Sequence, residues 1–262
     1  ELSSFQLETT HSLRCAAASF LNLSEDHLDR HGDMAGYAAA KARIFEGCGA
    51  AVVNRDDAAT SQGADHAERV LSFGCDAATG ADYGLHTNDG ELWLSCGAER
   101  LCPQSALKIQ GLHNAANALA ALALADEVGI PREAALRALC KFNGLPHRCE
   151  FVAARHGVTW LNDSNGTNVG STLAALRGLD GPIVWLGGGQ GKGQDFAPLA
   201  QPLAEKGRAA LLFGQDAQAI EDSILGALPV YREPDMRAAL DRAKALARPG
   251  DAVLLSPACA SL

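Results

Sequence analysis

The stretch "VTWLNDSNGTNVGSTLAAL", residues 158–176, contains a complete transition from a strand to a helix. The apolar run 158–161 predicts a buried strand, and the run 173–176 predicts the first turns of a helix. Between them lie amide and hydroxyl side chains around Gly166, which indicate a turn. Such a turn can gather backbone N–H groups at a helix N-terminus, where anions bind. Because the stretch has no lysine, the positive charge of an anion site would have to come from elsewhere.

The same alternation of strand and helix continues to the end of the sequence. Apolar runs predict further strands at 183–186, 210–213, 229–231 and 252–255, and helical patterns fall near 168–178, 196–206, 216–225 and 235–247. Strands that alternate with helices at this spacing indicate a doubly wound, mostly parallel sheet. The second half of the chain therefore predicts a Rossmann-like α/β fold.

The first half also reads as α/β, with a less regular pattern. It predicts strands at 16–23 and 50–54, an Ala-rich helix at 35–46, short β-like runs within 70–110, and helices at 114–128 and 132–142. Asn88-Asp89-Gly90 predicts a hairpin turn. The Gly144-Leu145-Pro146 segment is the predicted boundary, which gives two α/β units, 1–143 and 144–262.

Composition limits the classes of partner. The chain has 262 residues, 47% of them hydrophobic, and a formal net charge of −9. The negative charge argues against nucleic acid or an anionic membrane as the main partner. No run of about 18 apolar residues that could span a bilayer occurs. Eight scattered cysteines without a CxxC pair indicate small buried side chains in a reducing cytoplasm.

Polar residues cluster where the predicted strands end, at 24–27, 162–168, 187–195 and 256–261. Ligands of open α/β sheets gather at these carboxyl ends. In "SEDHLDRH", residues 24–31, His27 and its neighbouring acids are suited to a divalent cation, since Mg²⁺ keeps several waters. Glu1 would join this site if the strand that carries it neighboured the first strand. The alternative is a helix start capped by Ser24.

Lys41 shares a helical stripe with Tyr37, Ile44 and Phe45. A lysine on an apolar stripe is partly desolvated, which favours the neutral amine. A neutral amine can add CO₂ and become a carbamate, which binds metals. The alternative is a lysine whose stem packs on the stripe while its ammonium group reaches water.

The segment "GGGQGKGQDF", residues 187–196, follows a strand and precedes a helix. It is not a Walker A loop, because Gly193 follows Lys192 where that motif has Ser or Thr. Its backbone N–H groups together with Lys192 can still bind a carboxylate or phosphate. A plain glycine-rich turn remains the alternative. No GxGxxG fingerprint of dinucleotide binding follows a strand.

Three more residues are candidates for a nucleotide cleft. Asn114 and Asn117 lie at the start of an apolar helix, and Arg148 lies at the predicted domain boundary. Each alone reads as a helix cap or a surface charge. Together with Asp163 they could line a cleft between two domains.

Eight segments in this order resemble the Mur ligases along essentially the whole chain: "ELSSFQLE", "LNLSEDHLDRH", "AAKARIFE", "HNAANALAALALA", "GLPHRCE", "NDSNGTNVGST", "GGGQGKGQDF" and "LLSPACASL". The resemblance is strongest to the member that adds D-glutamate to UDP-N-acetylmuramoyl-L-alanine. It implies that 1–143 is the C-terminal part of a central P-loop-type ATPase domain and that 144–262 is a truncated, Rossmann-like domain that binds the amino acid. The UDP-binding domain, the ATP phosphate loop and the extreme C-terminus of the family are expected outside this chain, which begins at Glu1. The isolated chain is therefore expected to be inactive.

The resemblance also implies a reaction. ATP phosphorylates the carboxylate of UDP-N-acetylmuramoyl-L-alanine, and the amine of D-glutamate attacks the acyl phosphate, as a cytoplasmic step of peptidoglycan synthesis. Relatives with other substrates, among them other Mur ligases and folylpolyglutamate synthases, would share the metal and nucleotide residues. A non-catalytic nucleotide-binding fragment is a further alternative.

By resemblance, each candidate residue receives a role. Glu1 and His27 would be Mg²⁺ ligands, Lys41 would be a carbamylated lysine that helps hold a second Mg²⁺, and Lys41, His27 and Arg148 would be the catalytic residues. Asn114 and Asn117 would contact adenine, Arg148 phosphate and Asp163 the ribose, while Thr167, Lys192 and Ser261 would bind the incoming glutamate. One departure is clear: the family pattern is Asp-Ser-Lys where this chain has Asp163-Ser164-Asn165.

Overall fold

Two six-stranded sheets organise the described residues of the computed structural model, which are 1–109, 111–191 and 193–260. The chain divides into two units. The first contains Glu1–Leu23 and His27–Asn143, and the second contains Ser24–Asp26 and the chain from Gly144 onward. Each unit has its own sheet and its own hydrophobic core. The mixed α/β fold class predicted from the sequence is confirmed.

The sheet of the first unit has its strands in chain order. They are β1 (Ala17–Phe20), β2 (Ala50–Asn54), β3 (Arg69–Phe73), β4 (Tyr83–Asn88), β5 (Glu91–Cys96) and β6 (Glu99–Pro103). Strands β1 to β4 are parallel, and β5 and β6 are antiparallel additions. The predicted hairpin joins β4 to β5, with positive φ at Asp89 (51°) and Gly90 (81°), as a tight two-residue turn requires.

Helices pack on this sheet. They are α1 (Ser4–Thr9), α2 (Leu28–His31), α3 (Met34–Ala42), α4 (Leu112–Glu127) and α5 (Arg132–Lys141). Among them, α4 contributes much of the core. Helix α4 is rich in Ala and Leu, and its buried side chains, among them Leu119 and Leu122, pack against Phe73 and Leu94 of the sheet. A helix with so many small residues can approach a sheet closely, because short side chains allow a small distance between the two backbones.

The sheet of the second unit has the strand order β11-β10-β9-β12-β8-β7. Its strands are β7 (Glu150–Arg155), β8 (Val158–Asn162), β9 (Ile183–Gly188), β10 (Gly207–Phe213), β11 (Val230–Arg232) and β12 (Ala252–Leu255); its helices are α6 (Val169–Gly178), α7 (Ala200–Lys206), α8 (Ala217–Ser223) and α9 (Met236–Leu246). All neighbouring strands are parallel except β7, which pairs antiparallel with β8 at the edge.

Both faces of this second sheet are buried. Alternate residues of β9 point to opposite sides, so that Trp185 packs with residues of α6 to α8 while Val184 and Leu186 pack with Ala239 and Ala243 of α9. A parallel strand covered on both faces is a continuous apolar run, which is why β9 was visible in the sequence. The prediction of a doubly wound sheet is confirmed.

The N-terminal segment differs from its prediction. Residues 4–9 form helix α1, and the segment "ELSSFQLE" gives no strand beside β1 in the described residues. Ser3 caps the helix: its hydroxyl accepts from the Gln6 N–H, and the Gln6 side chain accepts from the Ser3 N–H. This capping box satisfies two backbone donors and favours a helix start. The condition under which Glu1 was expected to reach the site by a neighbouring strand is therefore not met.

All eight cysteines are free thiols, and Cys48, Cys102 and Cys259 are buried. Burial raises the pKa of Cys102 to about 11. Such a thiol behaves as a small apolar side chain rather than as a nucleophile. Among the residues that the structure describes, no helix is both long enough and apolar enough to cross a bilayer.

Candidate functional site

His27 and Lys41 lie against the same aromatic ring in the first unit. The ring of Tyr37, on α3, meets the His27 ring edge-on at a centroid distance of 6.2 Å. The Lys41 Nζ lies 5.1 Å from the centre of the Tyr37 ring and 5.9 Å from that of Phe20 at the end of β1. The structure thus brings together two of the three residues predicted to bind metal.

The backbone at His27 has an unusual conformation. Its φ of 55° and ψ of 28° are left-handed, and it directly precedes α2. For a residue other than glycine this conformation costs of order 1 kcal/mol or more. The His27 carbonyl accepts from the N–H groups of Arg30 and His31, at 3.0 and 3.1 Å, which fixes the turn. The helix here begins at Leu28, so the alternative in which Ser24 caps it is wrong.

The residues in this part of the first unit suit a metal that takes few protein ligands. No group of three or more His, Cys, Asp or Glu side chains that could hold a metal occurs in the described part of the chain. An imidazole on His27 and a carbamate oxygen on Lys41 would fit Mg²⁺, which keeps several waters or substrate oxygens in its octahedral shell. Glu1 is exposed and precedes the cap of α1; its role as a ligand stays a prediction.

The two predicted adenine contacts lie on the first turns of α4. The Asn117 side chain donates to the Asn114 Oδ1 at 3.4 Å. Asn117 is exposed and Asn114 half-buried. Gly111, with φ of 92°, turns the chain into the helix. Next to Asn114, burial lowers the pKa of His113, so its imidazole is held neutral.

Asp163 is a buried carboxylate at the carboxyl end of β8. Its Oδ1 accepts from the Cys149 N–H at 3.0 Å, and its Oδ2 accepts from the Ser256 hydroxyl at 2.7 Å. Burial raises the pKa of Asp163, and its hydrogen bonds only partly offset that effect. Burial and the neighbouring Asp163 charge also raise the pKa of the Cys149 thiol to about 12. The Cys149 thiol also hydrogen-bonds to this carboxylate, which has about four acceptor positions in all.

Two residues that the sequence reasoning missed complete this network. Thr172 of α6 and Ser256 after β12 are fully buried, and their hydroxyl oxygens lie 2.8 Å apart. The Ser256 carbonyl accepts from the Trp185 indole at 2.8 Å. These bonds join the ends of β8 and β12 to α6. The only signal in the sequence was the position of Ser256 directly after a strand.

The backbone of the turn 163–168 is used internally. The N–H groups of Ser164, Asn165, Gly166 and Thr167 donate to Asn162 Oδ1 and to the carbonyls of His147, Asp163 and Asn165. The expectation that this turn presents its backbone donors to an anion is therefore wrong for these four groups. Three of these N–H groups are bonded to acceptors within 162–165, and that of Asn165 is bonded to the His147 carbonyl. The half-buried Thr167 side chain and the exposed Asn165 side chain remain at the surface of the turn.

The glycine-rich loop after β9 is also closely packed. The N–H groups of Gly188, Gln190 and Gly191 donate to the Pro257 carbonyl, the Ala260 carbonyl and the Asp216 carboxylate. A Cβ on Gly188 would lie 1.8 Å from the Phe213 carbonyl oxygen. These three donors stabilise the loop rather than bind a ligand. Lys192, predicted here, and Ser261, predicted after β12, lie outside the described residues.

Arg148 is exposed on the segment that leads into β7. Its neighbours His147 and Cys149 both have left-handed φ values, 64° and 44°. The Arg148 charge lies near enough to Asp163 to oppose the rise of that carboxyl pKa. Arg148, Asp163 and Thr167 thus belong to one edge of the second sheet. The rule for strand ends predicted Asp163 and Thr167 at this edge, whereas Arg148 was predicted at the domain boundary.

Two family models match this chain, one in each unit. Residues 1–125 match the Mur ligase middle domain, and residues 147–259 match the Mur ligase, glutamate ligase domain. The whole chain is 54% identical to the UDP-N-acetylmuramoylalanine--D-glutamate ligase of Chromohalobacter salexigens and covers 58% of it. It is also 54% identical, over its whole length, to the enzyme of that name from Thiobacillus denitrificans, of which it covers 55%.

A solved structure shares the fold. The UDP-N-acetylmuramate-alanine ligase MurC from Thermotoga maritima matches with a TM-score of 0.70 over 98% of this chain and 58% of that chain. Its sequence is 20% identical, so this likeness concerns the fold alone. The chain spans between half and two thirds of the length of each of these proteins.

Proposed function

Because the chain belongs to the Mur ligase family, we propose that it is part of an ATP-dependent ligase that joins D-glutamate to UDP-N-acetylmuramoyl-L-alanine. The observation that carries this proposal is the 54% identity, over the whole of this chain, to proteins named for that reaction. The ligase would work in the cytoplasm, in the synthesis of peptidoglycan precursors. Two bonds change in turn: a phosphoryl group passes from ATP to the alanine carboxylate, and the glutamate amine then displaces phosphate to form the amide.

In this proposal the first unit holds the metal and the adenine. Glu1 and His27 would ligate Mg²⁺. Lys41, as a carbamate, would supply oxygen ligands that help hold a second Mg²⁺. Bound Mg²⁺ would offset the charge that develops on the phosphoryl oxygens. Asn114 and Asn117, close together on α4, would donate to and accept from the adenine ring.

The second unit would bind the remaining groups. Arg148 would pair with a phosphate, and Asp163 would accept from a ribose hydroxyl. Thr167, Lys192 and Ser261 would hold the two carboxylates of D-glutamate and so orient its amine. The buried bonds of Asp163, Ser256 and Thr172 support this assignment, because they hold the turn that carries Thr167.

Phosphate release tests the reaction. The full-length enzyme should release phosphate only when ATP, UDP-N-acetylmuramoyl-L-alanine and D-glutamate are all present. L-glutamate, other amino acids and folate-type acceptors serve as the controls for related ligases. Faster phosphate release with one of these acceptors would assign a different substrate. Nucleotide binding without phosphate release would indicate a non-catalytic nucleotide-binding module.

Substitution of Lys41 tests the metal site. Lys41→Ala in the full-length enzyme should lower turnover by about 10³-fold, the factor for several kcal/mol of lost charge stabilisation. Short carboxylic acids added to that variant should restore part of the rate, because they return the oxygen ligands. Lys108→Ala, which changes an exposed lysine of the same unit, is the control. An unchanged rate in Lys41→Ala would make Lys41 a packing residue only.

A further inference from the structure

The side chain of His31 is buried, and both of its ring nitrogens have partners. Its side chain is 2% exposed, and its Nδ1 lies 3.4 Å from the Glu8 Oε1. Its Nε2 lies 3.0 Å from the Ser4 hydroxyl, which is itself buried in α1. The tautomer of the ring decides whether Nε2 donates to the Ser4 hydroxyl or accepts from it. One hydrogen bond to Ser4 and one contact with Glu8, on opposite sides of the ring, hold its orientation.

The fixed ring of His31 stacks on Tyr37. Their centroids lie 5.2 Å apart, with 26° between the ring planes. Phe5 of α1 closes the cluster, because its ring contacts His31 at 5.7 Å and His27 edge-on at 5.0 Å. Tyr37 is 6% exposed, so its ring is held by neighbours rather than by solvent. A line of contacts therefore runs from Ser4 and Glu8 through His31 to Tyr37.

The same Tyr37 ring contacts both candidate metal ligands. The Tyr37 and His27 rings are nearly perpendicular, and the Lys41 Nζ lies over the Tyr37 ring, one helical turn further along α3. A long lysine side chain loses much conformational freedom when it is held in one place. A fixed ring on which the lysine side chain packs already restricts its conformations. Less conformational entropy is then lost when the carbamate forms or a metal binds.

We propose that His31 is a positioning residue of the metal site: anchored by Ser4 and Glu8, it fixes the Tyr37 ring that holds Lys41 and His27 in place for carbamylation and metal binding. The inference rests on the proposed function of Lys41. Carbamylation itself is balanced: the neutral Lys41 amine attacks CO₂, an N–C bond forms, and the amine proton passes to solvent.

The Ser4–His31–Glu8 arrangement resembles the contacts of an activated serine nucleophile, but it does not suit that role. The Ser4 residue is 2% exposed, so a substrate carbonyl could not reach its hydroxyl. The contacts of His31 point instead toward Tyr37. The arrangement therefore orients a ring rather than activates a hydroxyl.

Carbamate occupancy provides a test that does not depend on ligase activity. The full chain is incubated with ¹³C-bicarbonate, and the carbamate carbon is detected by ¹³C NMR, with Lys41→Arg to assign the signal. We expect occupancy to be about fivefold lower in His31→Ala and in Tyr37→Leu, which corresponds to about 1 kcal/mol of aromatic contact. Tyr37→Phe, which keeps the ring, should retain the signal. His66→Ala changes an exposed histidine of the same unit and is the matched control.

Thermal melting of each variant identifies those that fold. If His31→Ala does not fold, Ser4→Ala replaces it, because it removes one anchor and leaves every ring in place; occupancy should fall about twofold, as expected for one modest hydrogen bond. A signal present in the unmodified chain and unchanged in the folded His31, Ser4 and Tyr37→Leu variants overturns the inference and leaves the Lys41 proposal intact. A signal absent from the unmodified chain overturns both.

Discussion

Asp163 couples the stability of the second unit to pH. Burial raises the pKa of this carboxyl above its ordinary value of 3.8, so the folded chain holds the proton more tightly than the unfolded chain. A raised pKa contributes stability that is fully present below 3.8 and is lost as the pH rises through the folded value. Near neutral pH the chain therefore carries the cost of a buried charge, which its bonds to Ser256 and Cys149 only partly offset.

We predict that the unmodified chain gains stability relative to Asp163→Asn as the pH falls from neutral toward 3.8. The asparagine cannot titrate, so the difference isolates this carboxyl. Denaturant unfolding at a series of pH values measures it. Asp180→Asn, which changes an exposed carboxylate of the same unit, is the control. A difference in unfolding free energy that stays constant with pH would mean that the Asp163 pKa is not raised.

Asn165 is the residue at which the chain departs from the family it resembles. Its side chain is exposed, and its backbone N–H is already bonded to the His147 carbonyl. We predict that Asn165→Lys raises turnover of the full-length enzyme about fivefold to tenfold, because charged hydrogen bonds are roughly twice as strong as neutral ones. The melting temperature should hardly change at an exposed position. Steady-state rates with D-glutamate measure the effect, and an equal or lower rate would show that the charge comes from elsewhere.

At the residue scale, the sequence predicted which side chains lie together better than it predicted the partners of backbone N–H groups. It placed Lys41 beside Tyr37 because helical spacing fixes which side chains share a stripe. It did not show that the N–H groups of residues 164–167 all have partners within the chain. The His147 partner is distant in sequence, and the other three depend on the exact φ and ψ of the turn. The left-handed φ and ψ of His27 could not be predicted either, because the sequence does not give the exact backbone angles of a turn.

At the scale of elements, strands buried on both faces were the easiest to predict. The bounds of β2 and β12 agree with the predicted runs 50–54 and 252–255, because both are short and continuously apolar. Strand β7 was missed although 151–154 is apolar, because the run is short and does not alternate; the strand lies at the sheet edge, where Phe151 and Val152 are exposed. Helix α1 was missed although Ser3 and Gln6 form a readable capping box.

The close approach of β9 to β10 gives a prediction at this scale. Gly188 ends β9 with φ of 128°, and a Cβ there would collide with the Phe213 carbonyl. We expect Gly188→Ala to cost about 3 kcal/mol or more, which combines overpacking with the penalty for positive φ. Gly226→Ala is a matched control, because Gly226 has φ of 82° but open space around its Cα; it should cost only about 1–2 kcal/mol. Equal losses in a denaturant titration would show that the collision is relieved by a small backbone shift.

At the scale of the whole molecule, the two units divide the proposed chemistry. The first contains the aromatic site of His27 and Lys41, and the second contains Asp163, Arg148 and Thr167. Each unit has its own sheet and core, so each set of residues is fixed by its own local packing. A ligase that must bring an acyl phosphate to an amine needs both sets, and by resemblance it also needs a phosphate loop that the first unit does not include.

The last prediction concerns the chain by itself. It covers 58% of the relative from Chromohalobacter salexigens, and none of its glycine-rich segments is a Walker A loop. We therefore expect the 262-residue chain to fold, because both cores lie within it, but to release no phosphate from ATP in the presence of UDP-N-acetylmuramoyl-L-alanine and D-glutamate. Circular dichroism and a cooperative melt establish folding, and a phosphate-release assay establishes inactivity, with the full-length enzyme as the positive control. Turnover by the isolated chain would mean that His27, Lys41 and Arg148 provide the whole triphosphate site without a phosphate loop.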